Sequence, residues 1–194
     1  MKGSITMGRL QDEVLDFWFR QLTPQDWFVG GERLDSVVRA RFGALHRDAS
    51  GGALDGWADD ARGRLALILV LDQFSRHIHR GTAQAFASDD KALSLALDGI
   101  AAGMDESLSP GQRQFFYMPL MHSEDPAIQA RSIERFTALR DFADRNLAFA
   151  RSHAAEIARF GRFPGRNAAL GREPDTDEEA FLSEAALSPQ KGAG

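Results

Sequence analysis

The sequence predicts an all-α fold, and three observations lead to that prediction. Apolar residues recur every three or four positions in nearly every segment, which is the spacing of one helix face. No segment sustains the alternation of apolar and polar residues that a half-buried strand shows, and β-branched residues are few. We therefore expect seven or eight helices, joined by short loops in a single domain over residues 1–187, and a disordered tail over residues 188–194.

The first half of the chain contains the most apolar of the predicted helices. An aromatic-rich segment over residues 11–20 and an amphipathic segment over residues 34–45 come first, separated by a glycine pair. The segment over residues 64–80 is apolar on most sides, which is typical of a helix buried at the centre of a domain. We expect this central helix to organise the core.

The helices of the second half are predicted mainly from their start signals. Asp89 or Asp90 can cap a helix that ends near Gly103, and Pro110 suits the first turn of the next helix. Acidic residues and an early proline predict a helix start after Ser123. A further helix is expected over residues 147–160.

The last predicted helix begins at a capping box and runs to Leu187. Thr176 would cap this helix, and Glu179 would occupy its third position.

Composition excludes several classes of function. The chain has 194 residues, a formal charge of −5 and no cysteine, which excludes disulfides, thiolate nucleophiles and cysteine-ligated metals. The acidic balance argues against general nucleic-acid binding, and no apolar run is long enough to span a membrane. The N-terminus lacks the apolar core of a signal peptide, so we expect a cytoplasmic protein. We expect no bound metal, because the chain has no cysteine and no two histidines on one helix face, and we expect no cofactor.

Charged residues on the central helix form the first candidate site. Asp72, Arg76 and Arg80 recur every four residues and would share one helix face, beside a polar row that includes Gln73 and His77. A polar wall of a ligand site is one interpretation. The alternative is a ladder of ion pairs that stabilises the helix by roughly a few tenths of a kcal/mol per pair.

The second candidate site lies around His122. Together with Glu124 it could supply a general acid or base, because histidine titrates near neutral pH. The alternative is a helix cap, in which Ser123 and the neighbouring acids satisfy free backbone N–H groups. The cap accounts for Ser123 and Asp125 but leaves His122 unexplained.

The third candidate is an arginine-rich loop over residues 159–172. It holds four arginines and no acid, and its glycines and proline disfavour a helix. Guanidinium groups suit bidentate recognition of carboxylate or phosphate. The next twelve residues, 173–184, include six acids, so a structural ion-pair network is the alternative.

These segments resemble the bacterial DUF924 family, whose function is unknown. The matching stretches are VLDFWF, LDQFSRHIHRGTAQAFASD, MPLMHSED, RFGRFPGRN and a final Gly-Arg pair, which together cover nearly the whole chain. The resemblance implies an all-α fold similar to tetratricopeptide-repeat proteins, with antiparallel helix pairs stacked into an array. It implies no known activity.

Two stretches depart from the family pattern, at Ser75 and His77 and at Gly165, so no role is carried over to these residues. The positions that agree with the pattern are Asp72, Gln73, Arg76, Arg80, His122, Glu124, Arg162, Arg166 and Asn167.

We therefore expect the central helix, the His122 turn and the arginine loop to converge on one polar pocket. In the first hypothesis this pocket binds a small anionic ligand through Gln73, Arg76, Arg80, Arg162, Arg166 and Asn167. His122, with Glu124 or Asp72, would then be the acid–base pair. The second hypothesis is a helical interaction module that binds an acidic peptide. The third is a purely structural network.

Overall fold

The computed structural model of the chain describes residues 2–29 and 31–187, and it confirms the all-α class. No strand occurs in these two ranges. The α-helices are α1 (Lys2–Asp16), α2 (Pro24–Val29), α3 (Glu32–Ser50), α4 (Ala61–Ile68), α5 (Ser75–Ile78), α6 (Asp89–Ala101), α7 (Pro110–His122), α8 (Pro126–Phe160) and α9 (Thr176–Leu187). The predicted stacking of antiparallel pairs stays a prediction. The predicted disordered tail lies outside the described residues.

The chain forms two compact units that divide between Leu139 and Arg140. Helices α1 to α7 belong to the first unit, and α9 belongs to the second. The single domain predicted for residues 1–187 stays a prediction.

The predicted central helix is the core of the first unit. Helix α4 continues through a π-helical turn, Leu69–Phe74, into α5, and α4 contacts α1, α6 and α7. Every side chain from position 65 to position 71 is fully buried. A helix that is apolar on most sides in the sequence is therefore surrounded by other helices, as expected. The π-helical turn was not predicted, because it depends on packing and has no sequence signature.

Local capping chemistry accounts for two helix starts in the first unit. The Asp60 side chain accepts hydrogen bonds from two backbone N–H groups at the start of α4. Ser109 and Gln112 form a complete capping box before α7, with Pro110 in the first turn as predicted. These caps fix the start of α7, which carries His122, and the start of α4, which leads into the turn that carries Asp72.

The cap of α9 differs from the predicted one by one residue. Asp175, rather than Thr176, accepts the backbone N–H of the third residue, which is Glu178 rather than Glu179. The Glu178 side chain in turn accepts the backbone N–H of Asp175. Both pairs have the spacing of a capping box, and the choice follows from Glu178 also accepting hydrogen bonds from elsewhere in the second unit.

The helix predicted to start after Ser123 and the helix predicted over 147–160 form one helix, α8. The sequence contains no glycine or proline between Ala127 and Phe160, so nothing interrupts the helix after Pro126. The prediction of two separate helices was wrong because the mostly polar residues between them, 140–146, do not by themselves end a helix.

Candidate functional site

A pocket of about 600 Å³ in the first unit brings together two of the predicted candidate sites. Its size lies within the usual range of small-molecule sites. The central helix, the start of α6 and the end of α7 supply its walls. The residues that line it are Arg76, Phe86, Asp89, Asp90, Leu93, Pro119, His122, Ser123 and Glu124. We refer to it as the His122 pocket.

Behind this pocket lies Asp72, a carboxylate with no exposed surface. It belongs to the π-helical turn of the central helix, and such turns occur frequently at functional sites. One carboxylate oxygen, Oδ1, is 3.0 Å from Nη1 of Arg76, and the other accepts a hydrogen bond from Nε2 of Gln73 at 2.6 Å. A buried carboxylate needs such partners, because burial of an unpaired charge is costly.

His122 is the last residue of α7, and its Nδ1 atom lies 2.7 Å from Oδ1 of Asp72. When the Asp72 carboxylate is ionised it only accepts hydrogen bonds, and Nδ1 then donates the proton of this contact. In the neutral imidazole, Nε2 then has a free lone pair. About a quarter of the His122 side chain is exposed, and the residue lines the pocket. This is the geometry of a histidine oriented by a buried acid.

Arg76 connects this pair to the opposite wall. Its two terminal nitrogens form a bidentate contact with the carboxylate of Asp89, at 3.0 and 2.9 Å. Nη1 also donates to the backbone oxygen of Asp72 at 2.8 Å. The guanidinium lies 5.5 Å from the ring centre of Phe86. The positive charge of Arg76 is therefore shared between two carboxylates and one aromatic ring.

Arg80 lies outside this cluster, although the sequence places it on the same helix face as Arg76. It forms an ion pair with both carboxylate oxygens of Asp35, on α3, and His77 contacts Asp35 through Nδ1 at 2.7 Å. Helix α5 ends at Ile78, so Arg80 no longer follows the helical register. The prediction that Arg80 shares one helix face with Asp72 and Arg76 was therefore wrong.

Asp35, His77 and Arg80 form a cluster, which we call the Asp35 cluster. Its electrostatics favour a charged Asp35–Arg80 pair beside a neutral His77. The hydrogen bond from Arg80 lowers the pKa of Asp35, and Asp35 raises the pKa of Arg80. Burial lowers the pKa of His77, even though the hydrogen bond with Asp35 acts in the opposite direction. Because Asp35 lies on α3 and His77 lies on α5, the contact between them links these two helices.

In the second unit, Arg162 forms a structural contact. Its Nε and Nη2 atoms donate to the two oxygens of Glu178, both at 2.6 Å, and Nη2 also donates to the backbone oxygen of Glu173 at 3.1 Å. The Asn167 amide donates to Glu178 at 3.0 Å. Glu178 is 1% exposed, and the hydrogen bonds from Arg162 lower its pKa to about 2. These contacts favour the structural alternative for Arg162 and Asn167.

The other loop arginines differ from Arg162 in their contacts. The guanidinium of Arg166 lies 4.5 Å from the ring centre of Phe163, and Arg166 forms no ion pair with any described residue. Arg172 donates to the backbone oxygen of Phe163 at 3.2 Å. A ligand-binding role for Arg162, Arg166 and Asn167 stays a prediction, as does the convergence of this loop with the His122 pocket.

Two acidic residues of these clusters were missed in the sequence. Asp89 was interpreted only as a helix cap, yet its carboxylate pairs with Arg76. Asp35 received no role, although it is spaced by three and seven residues from the buried Val38 and Phe42. An acid within an apolar helical stripe indicates a buried ion pair, and that signal could have identified Asp35.

No described helix has the length and apolar character needed to cross a membrane.

Comparisons with known proteins establish the family. The chain is similar to a solved protein of unknown function, ATU0120 from Agrobacterium tumefaciens, with 37% sequence identity and a TM-score of 0.65. The match covers 92% of this chain and 99% of that one. A comparison with curated proteins finds no match. The model of the bacterial family of unknown function DUF924 matches residues 14–186, so this chain belongs to that family.

Proposed function

We propose that the His122 pocket binds a small organic substrate and that His122 acts there as general base and general acid. The observation that carries this proposal is the 2.7 Å contact between His122 Nδ1 and the buried Asp72 carboxylate. A histidine held in this way keeps one tautomer and one ring orientation, and it offers Nε2 to a substrate proton. Asp72 would be the positioning residue, and Glu124 lies on the same pocket wall.

The arrangement around Asp72 supports this role. Asp72 has hydrogen bonds or ion pairs from three side chains, so its carboxylate has little freedom to turn away from His122. For a general base, correct geometry is the first requirement for efficient proton transfer, and a suitable pKa is the second. A pocket volume of about 600 Å³ beside the imidazole leaves room for a metabolite-sized molecule.

The predicted anionic ligand is the second candidate, and Arg166 supports it. Arg76, Arg80 and Arg162 each pair with acids of the protein, whereas Arg166 forms no ion pair with a described residue. Phosphate or sulfate should then stabilise the parent protein but not Arg166→Ala. Binding of an acidic peptide in a tetratricopeptide-repeat-like array would use the same arginine.

We propose a cytoplasmic location because the chain has no cysteine.

Untargeted metabolite profiling tests the catalytic proposal. The purified protein would be incubated with a bacterial small-molecule extract, and mass spectrometry would record which compounds are consumed or formed. We expect at least one compound to change with the parent protein and to remain unchanged with His122→Asn. Loss of a general acid–base group typically slows a reaction by about 10²–10⁴-fold.

Two further variants make the result specific to this histidine. His153→Asn removes an exposed histidine of the second unit and should leave turnover unchanged. Asp72→Asn should slow turnover while the protein, checked by circular dichroism, stays folded. Equal turnover by the parent protein and His122→Asn would contradict the proposal. A complete absence of turnover would leave His122 without a catalytic role.

A further inference from the structure

We propose that the ligand of the His122 pocket is a small organic molecule that carries a protonated amine. This inference rests on the proposed use of the pocket as a small-molecule site. It goes further because it assigns the charge and the general shape of the ligand. It also differs from the anionic ligand that the arginine content predicts.

The lining of the pocket carries more negative than positive charge. Among the described residues that line it, Arg76 is the one lysine or arginine, and its charge is already matched by Asp89 on the pocket wall and by Asp72 behind it. Asp90 and Glu124 also line the pocket, and neither forms an ion pair or a side-chain hydrogen bond with a described residue. Two carboxylates therefore remain to meet a positive charge on the ligand.

A metal ion does not suit this arrangement. Within residues 2–29 and 31–187, no group of three or more histidine, cysteine or acidic side chains could hold a metal ion. The pocket volume of about 600 Å³ also exceeds the space that a single ion would fill. An ammonium group needs only one or two carboxylates as hydrogen-bond acceptors, so it suits this lining better.

The remaining walls provide contacts for the carbon part of such a ligand. Phe86 is 60% exposed, although it is a large aromatic residue, and Leu93 and Pro119 line the same pocket. Exposed aromatic surface beside polar groups is typical of a binding site. A ligand with a short apolar skeleton and a terminal ammonium group would use both kinds of surface.

An anionic ligand would meet repulsion in the same place. A carboxylate or phosphate near Asp90 and Glu124 would approach like charges, while Arg76 has already formed a bidentate contact with Asp89. Charge complementarity governs specificity in this way, because like-charge contacts disfavour the wrong ligand. The pocket should therefore discriminate between ligands of equal size by their charge.

Three probes of similar size and different charge test the proposal: 2-phenylethylamine, 2-phenylethanol and phenylacetate. Nuclear magnetic resonance titrations of the isotope-labelled full-length protein at pH 7.5 and low salt would give each affinity. At this pH a primary amine is protonated, as the lysine side chain is. We expect the amine to bind about tenfold more tightly than the alcohol and the carboxylate to bind most weakly.

Matched variants identify the source of that preference. Asp90→Asn and Glu124→Gln should each lower the affinity for the amine by about two- to fivefold, which is the usual effect of one exposed charge. Both variants should leave the affinity for the alcohol unchanged. Asp98→Asn is the control, because Asp98 is exposed on the same helix as Asp90 but does not line the pocket. Equal binding of the three probes, or an amine affinity that both pocket variants leave unchanged, would overturn the inference.

The outcome is separable from that of the catalytic proposal. Preferential amine binding that depends on Asp90 and Glu124 would support the inference even if His122→Asn turned over the same metabolites as the parent protein. Conversely, loss of turnover in His122→Asn together with equal binding of all three probes would support the catalytic proposal and overturn the inference.

Discussion

Both carboxylate oxygens of Glu178 accept hydrogen bonds from the guanidinium of Arg162, each at 2.6 Å. The same carboxylate caps α9 by accepting the backbone N–H of Asp175. An arginine that the sequence presents as a ligand-binding candidate thus contacts the first turn of the last helix. The ion pair and the cap depend on each other, because they share one carboxylate.

Replacement of Arg162 by alanine should therefore destabilise the protein. Glu178 would keep its buried position but lose its charged partner, so we expect the midpoint of thermal unfolding to fall by several degrees. Arg166→Ala is the matched control, because Arg166 is exposed and contacts the ring of Phe163 without an ion pair. Equal midpoints for the two variants would contradict a structural role for Arg162.

The stabilising effect of Glu178 should depend on pH. The hydrogen bonds from Arg162 lower its pKa to about 2 in the folded protein, whereas an unfolded glutamate has a pKa of about 4.3. Between these values the unfolded state binds more protons, so this part of the stability is present above about pH 4.3 and is lost as the pH falls toward 2.

Carboxyl chemical shifts would give the pKa of Glu178 directly. Denaturant unfolding of the parent protein and Glu178→Gln at pH 6 and pH 3 would then give the linked stability. We expect the parent protein to be the more stable one at pH 6 and the difference to shrink at pH 3. A difference that stays constant over this range would show that the pKa of Glu178 is the same in both states.

Two buried histidines should make the protein less stable in mild acid. Burial lowers the pKa of His46, with the nearby His79 acting in the same direction, and burial also lowers the pKa of His77. An unfolded histidine has a pKa of about 6.5, so below this pH the unfolded state takes up protons that the folded state resists. Stability should therefore fall as the pH drops below 6.5.

Urea unfolding at pH 7.5 and pH 5.5 measures this effect. His46→Gln should lose less stability between the two pH values than the parent protein does, because one of the linked groups is gone. His153→Gln, which removes an exposed histidine, should behave as the parent protein does. An identical pH response in His46→Gln and the parent protein would argue against a lowered pKa for His46.

Two helical glycines should respond in opposite ways to alanine. A Cβ atom at Gly63 would lie 2.3 Å from the backbone oxygen of Trp57 and 2.7 Å from Nε2 of Gln11. Gly63→Ala should cost about 1–3 kcal/mol of unfolding free energy, since backbone must move. Nothing lies within 4 Å of such an atom at Gly43, so Gly43→Ala should stabilise α3 by about 0.5–1 kcal/mol. Urea unfolding of both variants distinguishes these signs.

Local patterns in the sequence were sufficient for the fold class and for several candidate residues. The all-α class follows from helical spacing, and the start of α7 follows from the proline at position 110, because both depend on neighbours within one or two helical turns. Asp72, Arg76, His122 and Glu124 were singled out because charged groups in an apolar helix, or a histidine beside a cap, are unusual. Their catalytic and binding roles stay predictions.

Tertiary structure alone decided which of these groups meet. Asp72 and His122 are 50 residues apart in the chain and 2.7 Å apart in space, and no spacing rule relates them. The same holds for Arg80, whose ion pair is with Asp35, 45 residues earlier in the chain, rather than with Asp72. The physical reason is that a helix start is set by hydrogen bonds within a few residues, whereas the partner of a buried charge is set by how helices pack around it.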